Sequence, residues 1–430
     1  MYLTMRAVWL LAAGAVLVPL VPRPGTVVAW TALVAALVAV DVAAAPSPRG
    51  LRATRSVPRS VRLGETVTET LTLFNTTGRS MSALVRDAWQ PSAGASHERR
   101  ALTVPAGRQR RLRTQLTPTR RGDRIADLVT VRVRGPLGLA GRQASLHVPA
   151  RLRVLPRFAS RRHLPSKLSR LREMDGRSAV MVHGAGTEFD SLREYVVGDD
   201  VRSIDWRSTA RRAEVVVRTW RPERDRRVLI VVDTGRMAAA RLDDAPRLDA
   251  QIEAMLLLAA LAARAGDRVD AVATDVQTRA QVRGVSGSAL LGALADAFAP
   301  LQPALVETNW TLVAATVEAS LSQHALVVVL TGLDGAGANA DMLRALGIMA
   351  RKHTVVVASA TDPGLEHLRS RRDDAESVYT AAAAERELVE LSAVRARLRR
   401  AGVEVVEEQP GALAPALADA YLALKAAGRL

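Results

Sequence analysis

The sequence predicts a doubly wound α/β domain with a mainly parallel sheet at its C-terminal end, preceded by a transmembrane helical hairpin and a small β-sandwich-like module. Three observations carry this reading. Two long apolar runs fill the first 45 residues, short alternating segments follow, and a strand-then-helix rhythm begins at Arg227. The expected boundaries are 1–45 for the hairpin, 46–155 for the β module, 156–226 for a charged linker and 227–430 for the α/β domain.

Residues 7–21, AVWLLAAGAVLVPLV, are apolar throughout, and Leu3 to Met5 extend the run past Arg6. Pro22-Arg23-Pro24-Gly25 is a turn signal. Thr26 to Ala45 then carries one charge, Asp41. A spanning helix needs about 20 such residues. Arg6, Arg49, Arg52, Arg55, Arg59 and Arg62 flank the outer ends, against Arg23 alone in the turn. The positive-inside rule places both ends in the cytoplasm, giving a multi-pass protein of the cell membrane with cytoplasmic soluble domains. A cleaved leader is the alternative, with Ala43-x-Ala45 as its site. That site lies too far downstream, after a second apolar run.

At 430 residues and 48% hydrophobic, the chain has room and material for two or three domains. It contains no cysteine, which excludes disulfides and thiolate metal sites. The net charge of +17 is uneven: residues 46–150 hold +13, whereas 227–430 hold −4. A basic region beside apolar spans fits anionic membrane lipids as a partner. No aromatic-and-basic motif accompanies the charge, so nucleic acid is not expected.

From Leu51 to Leu155, segments such as VRLGETVTETLTLFNTTG, ALVRDAW and DLVTVRVRG alternate apolar and polar residues between Gly and Pro breaks. They read as antiparallel strands of a small sandwich. RVLIVVDT opens the last domain as a buried parallel strand. RLDAQIEAMLLLAALAARAG has helical periodicity, DRVDAVATD, HALVVVLTGLD and HTVVVASATD are further strands, and helical segments lie between them. Ligands of such sheets bind beyond the C-terminal strand ends, an edge holding Asp233, Thr331, Asp334 and Asp362.

The segment GTEFDSLREYVVGDDVRSIDWRSTARR, Gly186 to Arg212, concentrates charges of both signs with Phe189, Tyr195 and Trp206. Together with VVVRTWRPERDRRVLIVVD, it closely resembles the signature of the family catalogued as domain of unknown function number fifty-eight. TRRGDRI and GPLGLA also match that family's habit, and DTGRM at Asp233 resembles a von Willebrand factor A domain. The resemblance implies a von Willebrand factor A-like sheet, a membrane anchor and a MoxR-type AAA+ ATPase partner. It thus implies a non-enzymatic adaptor in envelope or complex assembly. The signature residues it points to are Glu188, Phe189, Arg193, Tyr195, Gly198, Asp199, Arg202, Asp205, Trp206 and Arg211. Two readings of them stay open. Paired charges anchored by aromatics make a rigid clasp, or the segment is an exposed surface that recognises the ATPase.

A working A-domain cation site uses Asp-x-Ser-x-Ser with a Thr and an Asp from later loops, because Mg²⁺ demands about six hard oxygens. Here the serine positions are Gly235 and Met237, and Gly332 stands where the last Asp is expected. Asp233, Thr308 and Asp334 are weak candidates; Thr311 is an alternative hydroxyl. No metal or other cofactor is therefore expected. Asp233 instead reads as a cap for the following helix. GAGANA at 335–340 matches a dinucleotide turn only by pattern, there is no P-loop, and the seven histidines lack ligand spacing. Two other classes remain: a metal-dependent adhesion module, which needs an intact ion cage, and a hydrolase built on Asp233, Asp334 and Asp362.

Overall fold

The computed structural model describes residues 1–21, 23–181, 188–197, 199–212, 214–221, 226–333 and 340–430. It is a mixed α/β structure with several sheets, divided into two compact units, Met1–Leu155 and Pro156–Leu430.

The first unit opens with a two-residue strand β1 (Tyr2–Leu3) and two apolar helices, α1 (Met5–Leu20) and α2 (Pro24–Ala44). The stretch Gly25–Gly50, which takes in all of α2 after its first residue, is long and apolar enough to cross a membrane. At 16 residues, α1 is shorter than the span expected for it. The strands β2 (Leu51–Ser56), β3 (Ser60–Arg62), β4 (Val67–Asn75), β5 (Met81–Trp89), β6 (Arg99–Val104), β7 (Gln109–Leu116), β8 (Gly122–Arg134) and β9 (Ala140–Leu155) follow. One sheet has the order β1-β9-β8-β5-β6, with β3 also paired to β9; the other is β2-β4-β7. Alternate residues of both, among them Leu71, Leu73, Val85, Val129 and Val131, meet in one core.

The single charge of α2 sets the joint between helices and strands. Asp41 is fully buried. Its carboxylate accepts N–H bonds from Leu137 (2.7 Å), Leu139 (2.8 Å) and Ala140 (2.8 Å), in the β8–β9 connection. The neighbouring Arg142 covers the last turn of α2, Nε donating to Val42 O at 2.9 Å. The start of α1 meets the same loop through Thr4, whose N–H bonds Leu139 O at 2.9 Å. Only glycine fits at position 135, since a Cβ there would lie 2.2 Å from Asp41 Oδ1.

A second buried charge group crosses between the sheets. Arg55 of β2 pairs with Glu69 of β4 (3.2 Å) and with Asp87 of β5, above the Trp89 ring. Burial, and then the adjacent Asp87 carboxylate, push Glu69 up to about 8.

The second unit begins with α3 (Leu164–Met181), then β10 (Glu188–Glu194), α4 (Trp206–Arg212) and β11 (Val216–Arg221). The α/β region follows: β12 (Arg227–Asp233), a short ribbon of β13 (Arg241–Leu242) and β14 (Ala245–Pro246), α5 (Arg247–Arg264), β15 (Arg268–Thr274), β16 (Thr278–Val282), α6 (Ala289–Phe298), α7 (Trp310–Ser320), β17 (Leu326–Leu330), α8 (Ala340–Ala350), β18 (Thr354–Ala360), α9 (Pro363–Ser370), α10 (Ala375–Arg400), β19 (Glu404–Glu408) and α11 (Pro410–Ala426). Their sheet has the order β16-β15-β12-β17-β18-β19, parallel throughout except for the edge strand β16. Leu229, Val231, Val327, Val329, Val355 and Val357 turn one face to α7, α8 and α10. Successive side chains alternate, so the other face is left to α5 and α11, which pack on β12, β15, β18 and β19. With both faces covered, the central strands are apolar throughout, and polar residues are displaced to the strand ends.

Two outcomes follow from the first unit. Asp41→Ala leaves three backbone N–H groups without their acceptor, and destabilisation of about 3 kcal/mol is expected in thermal unfolding of the full chain in detergent. Glu69 is expected to tie stability to pH. Its ordinary value is 4.5 and its folded value about 8. Its contribution is therefore whole below pH 4.5 and is lost as pH rises to about 8. Glu69→Gln should flatten that slope in urea denaturation between those limits.

Candidate functional site

β10 and β11 form an antiparallel ribbon with Arg193 opposite Val217 and Glu194 opposite Val216. The excursion between them is braced by its own carboxylates. Asp199 accepts from Arg193 Nη2 at 2.6 Å and from Val196 N–H at 2.9 Å, closing the first turn. Asp200 accepts from Arg202 N–H at 3.0 Å. Asp205 caps α4 through Ser208 N–H at 2.9 Å. Its other oxygen takes Arg218 Nε at 2.8 Å. The Ser208 N–H, and then the Arg218 side chain, hold Asp205 below the usual carboxylate range. Val216 and Val217 are buried beneath this frame.

On that frame, large apolar side chains face water. Val197 is 95% exposed, Trp206 66%, and Val196 and Val201 60% each. Trp206, read from sequence as an anchor, starts α4 with its indole in solvent, and Tyr195 is only half-buried. Arg202 and Arg211 are exposed as well. Of the signature residues, the structure brings together Arg193 with Asp199. It pairs Asp205 with Arg218, which sequence reasoning did not single out. Gly198 and the side chains of Glu188 and Phe189 lie outside the described residues. The exposed valines were missed; adjacent Val196 and Val197 in a polar segment were their signal.

A second polar cluster sits at the C-terminal end of the parallel strands. Asp233 Oδ1 accepts from Thr308 Oγ1 at 2.5 Å and from Gly235 N–H at 2.8 Å; Oδ2 accepts from Thr331 Oγ1 at 2.6 Å. Asp233 thus closes a turn and ties two further loops, rather than capping a helix. Burial raises its pKa against the pull of these donors, and the nearby Asp275 charge adds to the rise. Burial also lifts Asp275, but Arg279 at 2.7 Å, the Gln277 N–H and Thr234 outweigh it, holding Asp275 low. Asp362 caps α9 by accepting from Gly364 N–H at 2.8 Å. Asp334, with most of GAGANA, lies outside the described residues.

These residues do not fit a divalent cation. Both Asp233 oxygens are engaged by hydroxyl and amide donors. A side chain at 235 would put its Cβ 2.3 Å from Thr308 Oγ1. At 332 the Cβ would lie 2.2 Å from Nη1 of Arg247, a buried guanidinium that also bonds Met237 O and Ala360 O at 2.9 Å each. Arg247 was not anticipated; at the head of an apolar helix it reads as a solvent residue. Among the described residues no group of three or more His, Asp or Glu could hold an ion.

A long apolar N-terminal helix, a β-rich region, and an α/β sheet preceded by a braced polar ribbon define the class. Residues 191–408 match the family described as Protein of unknown function DUF58, and the chain belongs to that family. No curated protein matches the chain. Among solved structures it is similar to the complex of Zinc 2-glycoprotein and Prolactin inducible protein from human seminal plasma, with 17% identity over 24% of this chain and 92% of that chain, at a TM-score of 0.21. It is also similar to a FixG-related protein from Vibrio parahaemolyticus, with 11% identity over 24% of this chain and 96% of that chain, at a TM-score of 0.19. Neither likeness carries an argument about function.

Gly332→Ala is expected to cost about 1–3 kcal/mol in chemical denaturation, because the added methyl must displace the Arg247 side chain.

Proposed function

We propose that the protein is a membrane-anchored adaptor whose signature ribbon docks a MoxR-type AAA+ ATPase. In this reading α1 and α2 form the hairpin anchor, both soluble units face the cytoplasm, and the chain itself catalyses no reaction. The sheet order β16-β15-β12-β17-β18-β19, with its one antiparallel edge, supports a von Willebrand factor A-like domain. The ATPase comes from the family resemblance. The observation that carries the reading is the set of Val196, Val197, Val201 and Trp206, exposed within eleven residues on a segment stiffened by Asp199 and Asp205. Apolar side chains held out in water by a rigid frame mark a surface made for a partner, and a tryptophan is a frequent anchor in such contacts.

The alternative is a metal-dependent adhesion module. The geometry around Asp233 disfavours it, because Arg247 and Thr308 fill the places of two ligands.

The test is the pair Val197→Ser and Trp206→Ala, assayed by crosslinking in membranes and by binding of the purified ATPase. Loss of the ATPase by at least tenfold with an unchanged melting temperature is expected. A melting temperature lowered by several degrees, with binding retained, would instead make the segment an internal clasp.

A further inference from the structure

The first unit has two ends, and they differ in charge. Asp41 binds the β8–β9 connection, so this connection lies at the foot of α2. Strand register brings the other loops to the same end. Leu51 lies opposite Asn75, and Asn75 N–H bonds Arg108 O at 3.0 Å. Met81 lies opposite Val104, and Ala83 opposite Val133. The turns around the helix foot therefore carry Arg6, Arg49, Arg79, Arg108 and Arg134, all exposed. No exposed acidic residue accompanies them: residues 1–6, 45–50, 75–81, 104–108 and 134–141 contain no Asp or Glu, and Asp41 is spent on backbone N–H groups. The opposite end carries Glu65, Glu98 and Asp123 among its arginines. Leu137, whose own N–H is the first of the three that hold Asp41, has a side chain in solvent and is 48% exposed.

We propose that this arginine collar is a docking surface for anionic phospholipid headgroups, with Leu137 resting at the acyl boundary. The inference rests on the membrane-anchored reading and adds to it a lipid class and the residues that select it. The chemistry is charge complementarity in a fixed place. Asp41 joins the helix to the β unit, so the collar is held at the level where the helix leaves the apolar layer. There guanidinium groups meet phosphates and lose little to screening. An arginine near an anionic leaflet strengthens binding about fivefold.

The experiment uses the full chain in nanodiscs of phosphatidylcholine alone or mixed with phosphatidylglycerol, read by native mass spectrometry of retained lipid and by hydrogen exchange. Wild type is expected to retain phosphatidylglycerol and to gain protection at residues 76–80, 105–108 and 134–140 only in the mixed discs. The triple variant Arg79→Gln, Arg108→Gln, Arg134→Gln should lose at least tenfold of that retention at an unchanged melting temperature. Arg59→Gln with Arg120→Gln, at the opposite end, should keep it. Equal retention by wild type and the triple variant, or equal loss by the opposite-end variant, overturns the collar while insertion of the helices leaves the anchored reading standing. Failure of the chain to enter discs of either kind overturns both.

Discussion

A carboxylate removed from water must be answered by donors, and this constraint organises the molecule. Asp41 is answered by three backbone N–H groups, Asp233 by two hydroxyls and an amide, and Asp205 by an amide and a guanidinium. In each case the donors come from segments distant in sequence or from a turn that the carboxylate itself closes. The charges therefore act as fasteners. Each joins pieces that apolar packing alone would leave free to slide. Glu69 is the exception that shows the rule's cost. It shares one arginine with Asp87 and holds its proton to about pH 8.

The same logic explains the strand edge at Asp233. A cation cage collects oxygens around a mobile charge. Here Thr308 and Thr331 give their hydroxyl protons directly to the carboxylate, and Arg247 supplies a positive group that is covalently part of the chain. The loops are thereby tied to the strand end by hydrogen bonds to Asp233.

Some of this was legible in the sequence and some was not, for physical reasons. RVLIVVD and HALVVVLTG reveal buried parallel strands because coverage on both faces writes an unbroken apolar string. Asp233 and Thr331 were placed on one edge because parallel strands end together, and they are hydrogen-bonded there. The partner of Asp41 was illegible, since backbone N–H donors leave no residue type to read; only the Gly135 and Gly138 spacing hints that the chain bends there. The orientation of Trp206 was left open because an aromatic residue among charges is equally consistent with anchoring inward and with facing water. The direction is set by α4, whose first residue it is, and by the cap at Asp205. The first apolar run, residues 7–21, falls within a helix of 16 residues, Met5–Leu20, except for Val21.

The joint at Asp41 also sets an order of events during synthesis. Its donors lie 96 to 99 residues further along the chain. When the ribosome has delivered the apolar helices, the loop that will take this carboxylate does not yet exist. The carboxylate stays without these donors until β8 and β9 have been made and paired. The helix is thus made free of the strands and is fastened to them only afterwards, so that this joint closes late in the folding of the β-rich unit.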